Sequence, residues 1–167
     1  MKPTIIALVG PSGSGKTTLS LYLQNKVGIP AICSYTTRPI REGEENGREH
    51  WFVQECVSDI SDTLAYTYFG GHHYWTMPEQ VGNNRVCTYV IDEKGLMELK
   101  SKWQERYNIV SVYLDRKDLQ GIAEDRRMRD NNRITLPSTE CDLILHNNKD
   151  LNSLYKSAIH FIAQFLM

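Results

Sequence analysis

Residues 10–17 form a glycine-rich octapeptide, Gly-Pro-Ser-Gly-Ser-Gly-Lys-Thr, that fits the pattern G-x-x-x-x-G-K-[ST]. Its glycines allow successive backbone N–H groups to point inward around a polyphosphate, because no Cβ atom stands in the way. The Lys16 ammonium can reach β- and γ-phosphate oxygens, and the Thr17 hydroxyl can ligate Mg²⁺. The octapeptide therefore predicts a site for a nucleoside triphosphate and Mg²⁺. Its predicted residues are Ser12, Gly13, Ser14, Gly15, Lys16, Thr17 and Thr18.

The segments on either side of this octapeptide support that interpretation. A short run of β-branched and apolar residues at 4–9 predicts a strand directly before it. After it, leucine and valine recur at helical spacing, which predicts a helix over residues 16–27 that Gly28 ends. The N-terminus of that helix would add the positive end of its dipole to the anion site.

A second candidate anion site follows the next predicted strand. Arg38 and Arg41 lie there, and Pro39 favours an extended conformation at Arg38. Two guanidinium groups at the carboxyl end of a parallel strand, the edge where such sheets bind ligands, suit a phosphate monoester. Taken alone, two arginines beside several glutamates indicate a solvated loop. Beside the octapeptide, they indicate a second phosphate site.

Apolar, β-branched runs alternate with helix-like periodic segments along the chain. The predicted core strands cover residues 4–9, 29–34, 86–91, 109–114 and 141–145. The predicted helices cover residues 16–27, 95–106, about 118–131 and about 151–166. Short apolar strands separated by helices predict a parallel sheet that is buried on both faces. The sequence thus predicts an α/β, three-layer phosphate-loop fold, in which a five-stranded parallel sheet carries helices on both faces.

Residues 35–80 interrupt this alternation. The strands predicted there are short, polar and aromatic, and cover residues 51–53, 65–69 and 72–76. Gly70-Gly71 between the last two is a two-residue hairpin signal. We predict a small antiparallel insert on the rim of the parallel core. It would belong to a single domain, 1–167, whose core comprises residues 1–34 and 81–167.

The composition excludes several classes of protein. The 167 residues carry 19 Lys plus Arg and 20 Asp plus Glu, a formal net charge of −1, which argues against binding of nucleic-acid polymers. No stretch approaches the ~20 apolar residues of a membrane helix, and the apolar run 5–9 is too short for an export signal. Four scattered cysteines without a C-x-x-C pair are typical of reduced thiols. We expect a cytoplasmic protein. These features do not predict its oligomeric state.

The segments that carry both anion sites resemble the guanylate kinase family. Residues 34–53 read S-Y-T-T-R-P-I-R-E-G-E-E-N-G-R-E-H-W-F-V, and the family has a phosphate loop followed by S-x-T-T-R-x-x-R-x-G-E-x-x-G-x-x-Y-x-F. Three later segments, at 74–76, 90–92 and 145–148, fall in family order. The resemblance implies phosphoryl transfer from ATP, with Mg²⁺, to a nucleoside monophosphate such as GMP or dGMP. It also implies that residues 35–80 bind the monophosphate.

The resemblance assigns roles to individual residues. Lys16 and Thr17 match the ATP and Mg²⁺ positions, and Thr76 and Asp92 match positions that contact the acceptor's base. His50 stands where the family has a tyrosine that contacts phosphate, and imidazole can still donate a hydrogen bond there. The acceptor-binding positions, chiefly the phosphate contacts, are matched by Ser34, Arg38, Arg41 and Tyr74.

Three further departures from the family pattern affect the expected contacts to the base and to metal or water. Ala65 stands where the family has a glutamate that reads guanine, and Trp75 replaces a glycine beside the base. Val90 replaces the first acid of the family's D-x-D, which removes one contact to metal or water. Alanine accepts no hydrogen bond from a base, and losing such a pairing weakens discrimination by ~1–3 kcal/mol. The acceptor's base therefore stays open.

A basic segment follows the fourth predicted core strand. Arg126, Arg129 and Arg133 are spaced i, i+3, i+7 and would share one face of a helix. We interpret residues 116–140 as a short lid, whose arginines act with Lys16 and Arg38 as catalytic groups that neutralise the transferring phosphoryl group. The alternative for each lid arginine is a solvated, salt-bridged helix.

Two other functions remain open on the sequence. A kinase for another phosphomonoester is one, since the ribose 1,5-bisphosphate kinase branch of the superfamily shares the Gly-Pro-Ser-Gly-Ser-Gly-Lys loop. That branch also has Asn-Asn near its last strand, like Asn147-Asn148 here, and lacks the guanine-reading acid. The other is a non-catalytic guanylate kinase-like module that binds a phosphorylated protein. Such modules have damaged ATP loops, whereas Gly15-Lys16-Thr17 is intact here.

Overall fold

The computed structural model describes residues 2–117, 137 and 140–166. The strands are β1 Thr4–Val9, β2 Ala31–Ile32, β3 Tyr35–Thr36, β4 Trp51–Phe52, β5 Ala65–Phe69, β6 His72–Thr76, β7 Val86–Val90, β8 Asn108–Asp115 and β9 Leu143–His146. The α-helices are α1 Lys16–Tyr22, α2 Glu93–Trp103 and α3 Leu151–Leu166. A π-helical turn, Leu23–Val27, continues α1, and a 3-10 turn covers Pro78–Gln80.

The core is a five-stranded parallel sheet with the order β2-β7-β1-β8-β9. All six residues of the central strand β1 are buried, because helices cover both faces of the sheet. Ile5, Ala7 and Val9 pack on the face that α2 covers. Ile6 and Leu8 pack on the opposite face, with α1 and α3. The predicted three-layer α/β core is confirmed.

Helix and strand bounds differ from the sequence prediction by a few residues. Helix α2 begins at Glu93 rather than at Gly95, because Asp92 caps it and accepts a hydrogen bond from the Gly95 amide at 2.6 Å. The first helix is α-helical only to Tyr22, and its π-helical turn ends at Gly28, whose φ of 80° is left-handed. The predicted helix 118–131 lies outside the described residues.

The second sheet, with the order β4-β3-β6-β5, corresponds to the predicted insert. The β3–β6 and β5–β6 pairs are antiparallel, as predicted, but β3 and β4 are parallel. The loop between β3 and β4 carries Arg38 and Arg41 and is long enough for the crossover that a parallel pair requires. Gly70 and Gly71 form the predicted two-residue turn, with φ of 60° and 82°.

In the described part of the chain, no helix combines the length and the apolar character that are required to cross a membrane. All four cysteines, Cys33, Cys56, Cys87 and Cys141, are free thiols.

Candidate functional site

The glycine-rich loop lies between the carboxyl end of β1 and the N-terminus of α1. Gly10 and Gly15 have φ of 143° and 103°, which favours glycine at both positions. A Cβ atom at Gly10 would lie 2.6 Å from the Leu114 carbonyl oxygen, and one at Gly15 would lie 2.7 Å from Asn147 Nδ2. The loop therefore packs against the ends of β8 and β9 so closely that only glycine fits.

Lys16 is the first residue of α1 and directly follows the last glycine of the loop. Its Nζ donates to the carbonyl oxygens of Gly10 and Pro11, at 2.7 and 2.8 Å, so the ammonium reaches back across the loop. Thr17 and Thr18, in the first turn of α1, are exposed. Cationic nitrogen, an exposed hydroxyl and a helix N-terminus are the groups that bind polyphosphate.

Ser14 does not behave like the rest of the predicted loop residues. Its side chain is fully buried, and its hydroxyl has no hydrogen-bond partner in the described chain. The Ser14 carbonyl accepts a hydrogen bond from Asn147 Nδ2 at 2.9 Å. The Ser14 side chain therefore fills the inside of the loop and lines neither of the two clefts described next.

Two clefts border the glycine-rich loop. Cleft A, about 530 Å³, lies between the loop and the second sheet; cleft B, about 560 Å³, lies between the loop and the segment after β9. Gly13, Lys16 and Thr17 line both clefts. The structure brings most predicted acceptor residues into cleft A, namely Ser34, Arg38, Arg41, His50, Tyr74 and Asp92.

Arg38 is held firmly by its surroundings. Its guanidinium donates to both carboxylate oxygens of Glu44, at 3.0 and 2.8 Å, and lies 5.3 Å from the centre of the Phe52 ring. The Arg41 amide donates to Glu44 Oε2 at 2.9 Å. Partial burial acts to raise the pKa of the Glu44 carboxyl, but the hydrogen bonds from Arg38 and Arg41 outweigh it and lower that pKa. Glu44 thus orients the arginine loop as a stable anion.

His50 joins the same phosphate-like subsite. Its Nδ1 is 2.7 Å from Ser34 Oγ, and its ring meets Phe52 and Tyr74 edge-on, with centroids 5.8 and 5.7 Å away. Burial, followed by the charge of Arg38, lowers the pKa of His50 from 6.5 to about 4. His50 is therefore neutral at pH 7, and Arg38 and Arg41 supply the positive charge for an anion.

Acidification is expected to destabilise the fold through His50. The pKa of His50 is about 4 in the folded chain and 6.5 when exposed, so the unfolded chain binds the proton more tightly. Stability therefore falls as the pH drops from about 6.5 to 4, by up to about 1.4 kcal/mol per unit. Urea unfolding at pH 7 and pH 5 should show a smaller fall for His50→Gln than for wild type.

His160 provides the matched control for that measurement, because it is exposed on α3. His160→Gln should retain the wild-type pH dependence. An equal fall in stability for wild type and His50→Gln would contradict the argument from burial.

The part of cleft A formed by β5, β7 and the start of α2 holds the candidate base contacts. Asp92 lines it, but Thr76 does not: its side chain is fully buried, and its hydroxyl donates to the Tyr89 hydroxyl at 2.8 Å. Thr76 could act on a ligand only through Tyr89. Trp75 also lies outside the cleft, since it is buried and stacks on Tyr35 with ring centres 5.6 Å apart.

Cleft B contains residues that the sequence did not single out as binding residues. Arg116 Nη1 donates to the Gly13 carbonyl at 3.0 Å, and Asn147 lies beside Gly15. Both follow core strands, β8 and β9, at their carboxyl ends, and that position is the signal that could have identified them. The predicted catalytic residues Arg126, Arg129 and Arg133, with most of the predicted lid, lie outside the described residues.

One oxygen donor beside the glycine-rich loop suits a metal ion that arrives with phosphate. Across residues 2–117 and 140–166, no three His, Cys, Asp or Glu side chains are grouped so that they could hold a metal. Mg²⁺ commonly binds proteins through one or two oxygen ligands plus substrate phosphates and waters. The exposed Thr17 hydroxyl, which borders both clefts, is one such oxygen.

Comparison with known proteins gives a consistent result along the chain. A family model described as guanylate kinase matches residues 1–163. A curated guanylate kinase from Nitrobacter winogradskyi is 34% identical over 119 residues, 66% of this chain and 53% of that protein. The Homo sapiens guanylate kinase is 38% identical over 109 residues, which cover 59% of this chain and 55% of that protein. The Koribacter versatilis guanylate kinase is 32% identical over 141 residues, which cover 78% of this chain and 60% of that protein.

The matched region spans 53–60% of the length of these curated relatives. Among solved structures, the guanylate kinase from Anaplasma phagocytophilum matches with a TM-score of 0.64 and 19% identity. That match covers 99% of this chain and 85% of the other. At this identity the match demonstrates the shared fold.

Proposed function

Since the chain belongs to the guanylate kinase family, we propose that it transfers a phosphoryl group from ATP to a nucleoside monophosphate, GMP or dGMP in the first instance. One observation carries the proposal: Gly13, Lys16 and Thr17 border both clefts. A donor held in cleft B and an acceptor held in cleft A would therefore meet at the same three residues.

In the proposed reaction, an oxygen of the acceptor's phosphate bonds to the γ-phosphorus of ATP. The bond from that phosphorus to the β,γ-bridging oxygen breaks, and ADP leaves. The acceptor phosphate is already ionised near neutral pH, so the protein needs no general base and acts by alignment and charge neutralisation. Arg38, Arg41 and the neutral His50 hold the acceptor, and Lys16 stabilises charge on the transferring group.

ATP and Mg²⁺ fit the residues that are present. The glycine-rich loop and the start of α1 would hold the polyphosphate, and Thr17 would be the protein's ligand to Mg²⁺. When bound there, Mg²⁺ would supply positive charge that neutralises phosphate oxygens. Chelation of Mg²⁺ should accordingly abolish turnover.

The remaining parts of the proposal concern organisation. Residues 35–80 act as the acceptor-binding insert of a single domain, and Arg126, Arg129 and Arg133 act as the lid arginines that neutralise the transferring phosphoryl group. Four reduced, free cysteines favour a cytoplasmic protein. Its partner is a small phosphomonoester rather than a nucleic-acid polymer or a membrane.

An acceptor panel tests this function. The protein with ATP and Mg²⁺ is offered GMP, dGMP, AMP, CMP, UMP and ribose 1,5-bisphosphate, and ADP release is measured. We expect turnover with at least one nucleoside monophosphate, and none in EDTA. Turnover of the sugar phosphate alone would replace the nucleotide assignment by a sugar-phosphate kinase. No turnover, together with binding of phosphopeptides, would favour the non-catalytic module.

A further inference from the structure

Three polar side chains from neighbouring elements line cleft A beside the arginine loop. Thr67 lies on β5, Tyr89 near the end of β7, and Asp92 at the cap of α2. Ala65 lies two residues before Thr67 on the same strand, and so on the same face, and presents only a methyl group. A base that enters this part of the cleft would meet the polar groups of Thr67, Tyr89 and Asp92.

Tyr89 has a defined hydrogen-bond polarity. Its oxygen accepts from Thr76 Oγ1 at 2.8 Å, and the residue is 4% exposed. The phenolic O–H proton finds no acceptor among the described residues, so it is available to a ligand. Burial raises the pKa of Tyr89, which therefore stays protonated at every physiological pH. Tyr89 is a neutral, oriented donor.

Asp92 has the complementary polarity. Its Oδ1 accepts from the Gly95 amide at 2.6 Å and from Thr67 Oγ1 at 3.3 Å. Its Oδ2 has no partner in the part of the chain that the structure describes. Tyr89 and Asp92 line the same cleft, and the negative charge of Asp92 adds to the burial that raises the pKa of Tyr89. Together they offer one donor and one acceptor.

We propose, on the basis of the proposed function, that Tyr89 is a specificity-determining residue that donates to the 6-carbonyl of a purine monophosphate. Asp92, whose position the family resemblance already assigns to the base, accepts from the adjacent ring N–H, and the 2-amino group is not read. Thr76 and Thr67 position these two groups through their hydrogen bonds. A guanine edge presents one carbonyl and two N–H-bearing nitrogens, whereas hypoxanthine presents the carbonyl and a single N–H. Tyr89 and Asp92 together pair with the carbonyl and the single N–H of hypoxanthine, and guanine presents the same two groups. Because the 2-amino group of guanine is not read, GMP and IMP should be used equally well.

Three nucleotides of similar size test this assignment: GMP, IMP and 2-aminopurine riboside monophosphate, which keeps the amine but lacks the carbonyl. For the wild type, kcat/KM should agree within about fivefold for GMP and IMP, and fall at least tenfold for the 2-aminopurine nucleotide. In Tyr89→Phe, GMP and IMP should each lose about tenfold, while the 2-aminopurine nucleotide and the KM for ATP stay unchanged.

Tyr107→Phe is the matched control, since Tyr107 is equally buried and does not line cleft A. It should behave like wild type. A kcat/KM for GMP more than about thirtyfold above that for IMP would contradict the claim that the 2-amino group is not recognised. Equal losses for all three nucleotides in Tyr89→Phe would reduce Tyr89 to a structural role. If the wild type phosphorylated none of the three nucleotides, the proposed function itself would be refuted. That outcome differs from a preference for GMP and from equal losses in Tyr89→Phe.

Discussion

Replacement of Lys16 by alanine is expected to lower kcat/KM for phosphoryl transfer by about 10²–10³-fold. The Lys16 ammonium is the cation of the glycine-rich loop and borders both clefts, so it lies where negative charge must be stabilised during transfer. In the alanine variant, water would have to stabilise this charge, and its molecules must reorganise as the charge moves, whereas a fixed ammonium is already in place. ADP release at saturating acceptor, followed for wild type and Lys16→Ala, measures the loss.

Lys26→Ala provides the control. Lys26 is exposed in the π-helical turn and lines neither cleft, so its loss should leave turnover unchanged. Thermal unfolding of both variants separates a catalytic effect from a folding effect. Full activity in Lys16→Ala would remove the glycine-rich loop from the reaction.

The parts of the site that could be predicted are those encoded by local sequence. The glycine-rich loop is contiguous, and its glycines answer a local backbone requirement, as the φ of 103° at Gly15 shows. Arg38 and Arg41 were identified because they follow a strand, where parallel sheets bind ligands. The sheet itself followed from apolar runs, since β1 is buried at all six residues. Trp75 was expected beside the base, but it stacks on Tyr35, and period-2 alternation from Tyr74, which lies in cleft A, is the signal that would have placed it there.

The parts that could not be predicted depend on contacts between distant segments. Tyr89 reads as a core residue of a buried strand, and only its pairing with Thr76 reveals an oriented donor. Asn147 reaches Ser14 across 133 positions of sequence. Glu44 resembles its exposed glutamate neighbours until the turn brings it onto Arg38. No local periodicity or motif encodes these contacts, because the fold brings the residues together.

The parallel β3–β4 pair illustrates the same limit. A polar, aromatic segment with a Gly-Gly hairpin predicts antiparallel strands, and this holds for β5 and β6. The arginine loop instead returns Trp51 to the same direction as Tyr35, with the Trp51 amide donating to the Ser34 carbonyl at 2.9 Å. This return brings His50 to within 2.7 Å of Ser34, so the strand direction helps to build the phosphate subsite.

Replacement of Arg38 by alanine is expected to raise the KM for the acceptor by about 10²-fold or more, with a smaller change in the KM for ATP. Arg38 is 7% exposed and already oriented by two hydrogen bonds to Glu44 and by the Phe52 ring, so it meets an acceptor phosphate without a large loss of side-chain freedom. Alanine removes this charge and leaves the half-buried Glu44 carboxylate to repel the phosphate. Initial rates over a range of acceptor concentrations measure the effect.

Arg38→Lys and Arg48→Ala complete the experiment. Lysine keeps the charge but cannot pair with both oxygens of Glu44, so Arg38→Lys should lose about tenfold rather than a hundredfold. Arg48 pairs with Glu45 and Glu49 outside cleft A, and Arg48→Ala should bind the acceptor as the wild type does. If Arg38→Ala and Arg48→Ala raised the KM equally, the general charge of the loop, and not a fork held by Glu44, would account for acceptor binding. If only the Arg38 variants raise the KM for the acceptor, the geometry of the Arg38–Glu44 ion pair is the cause.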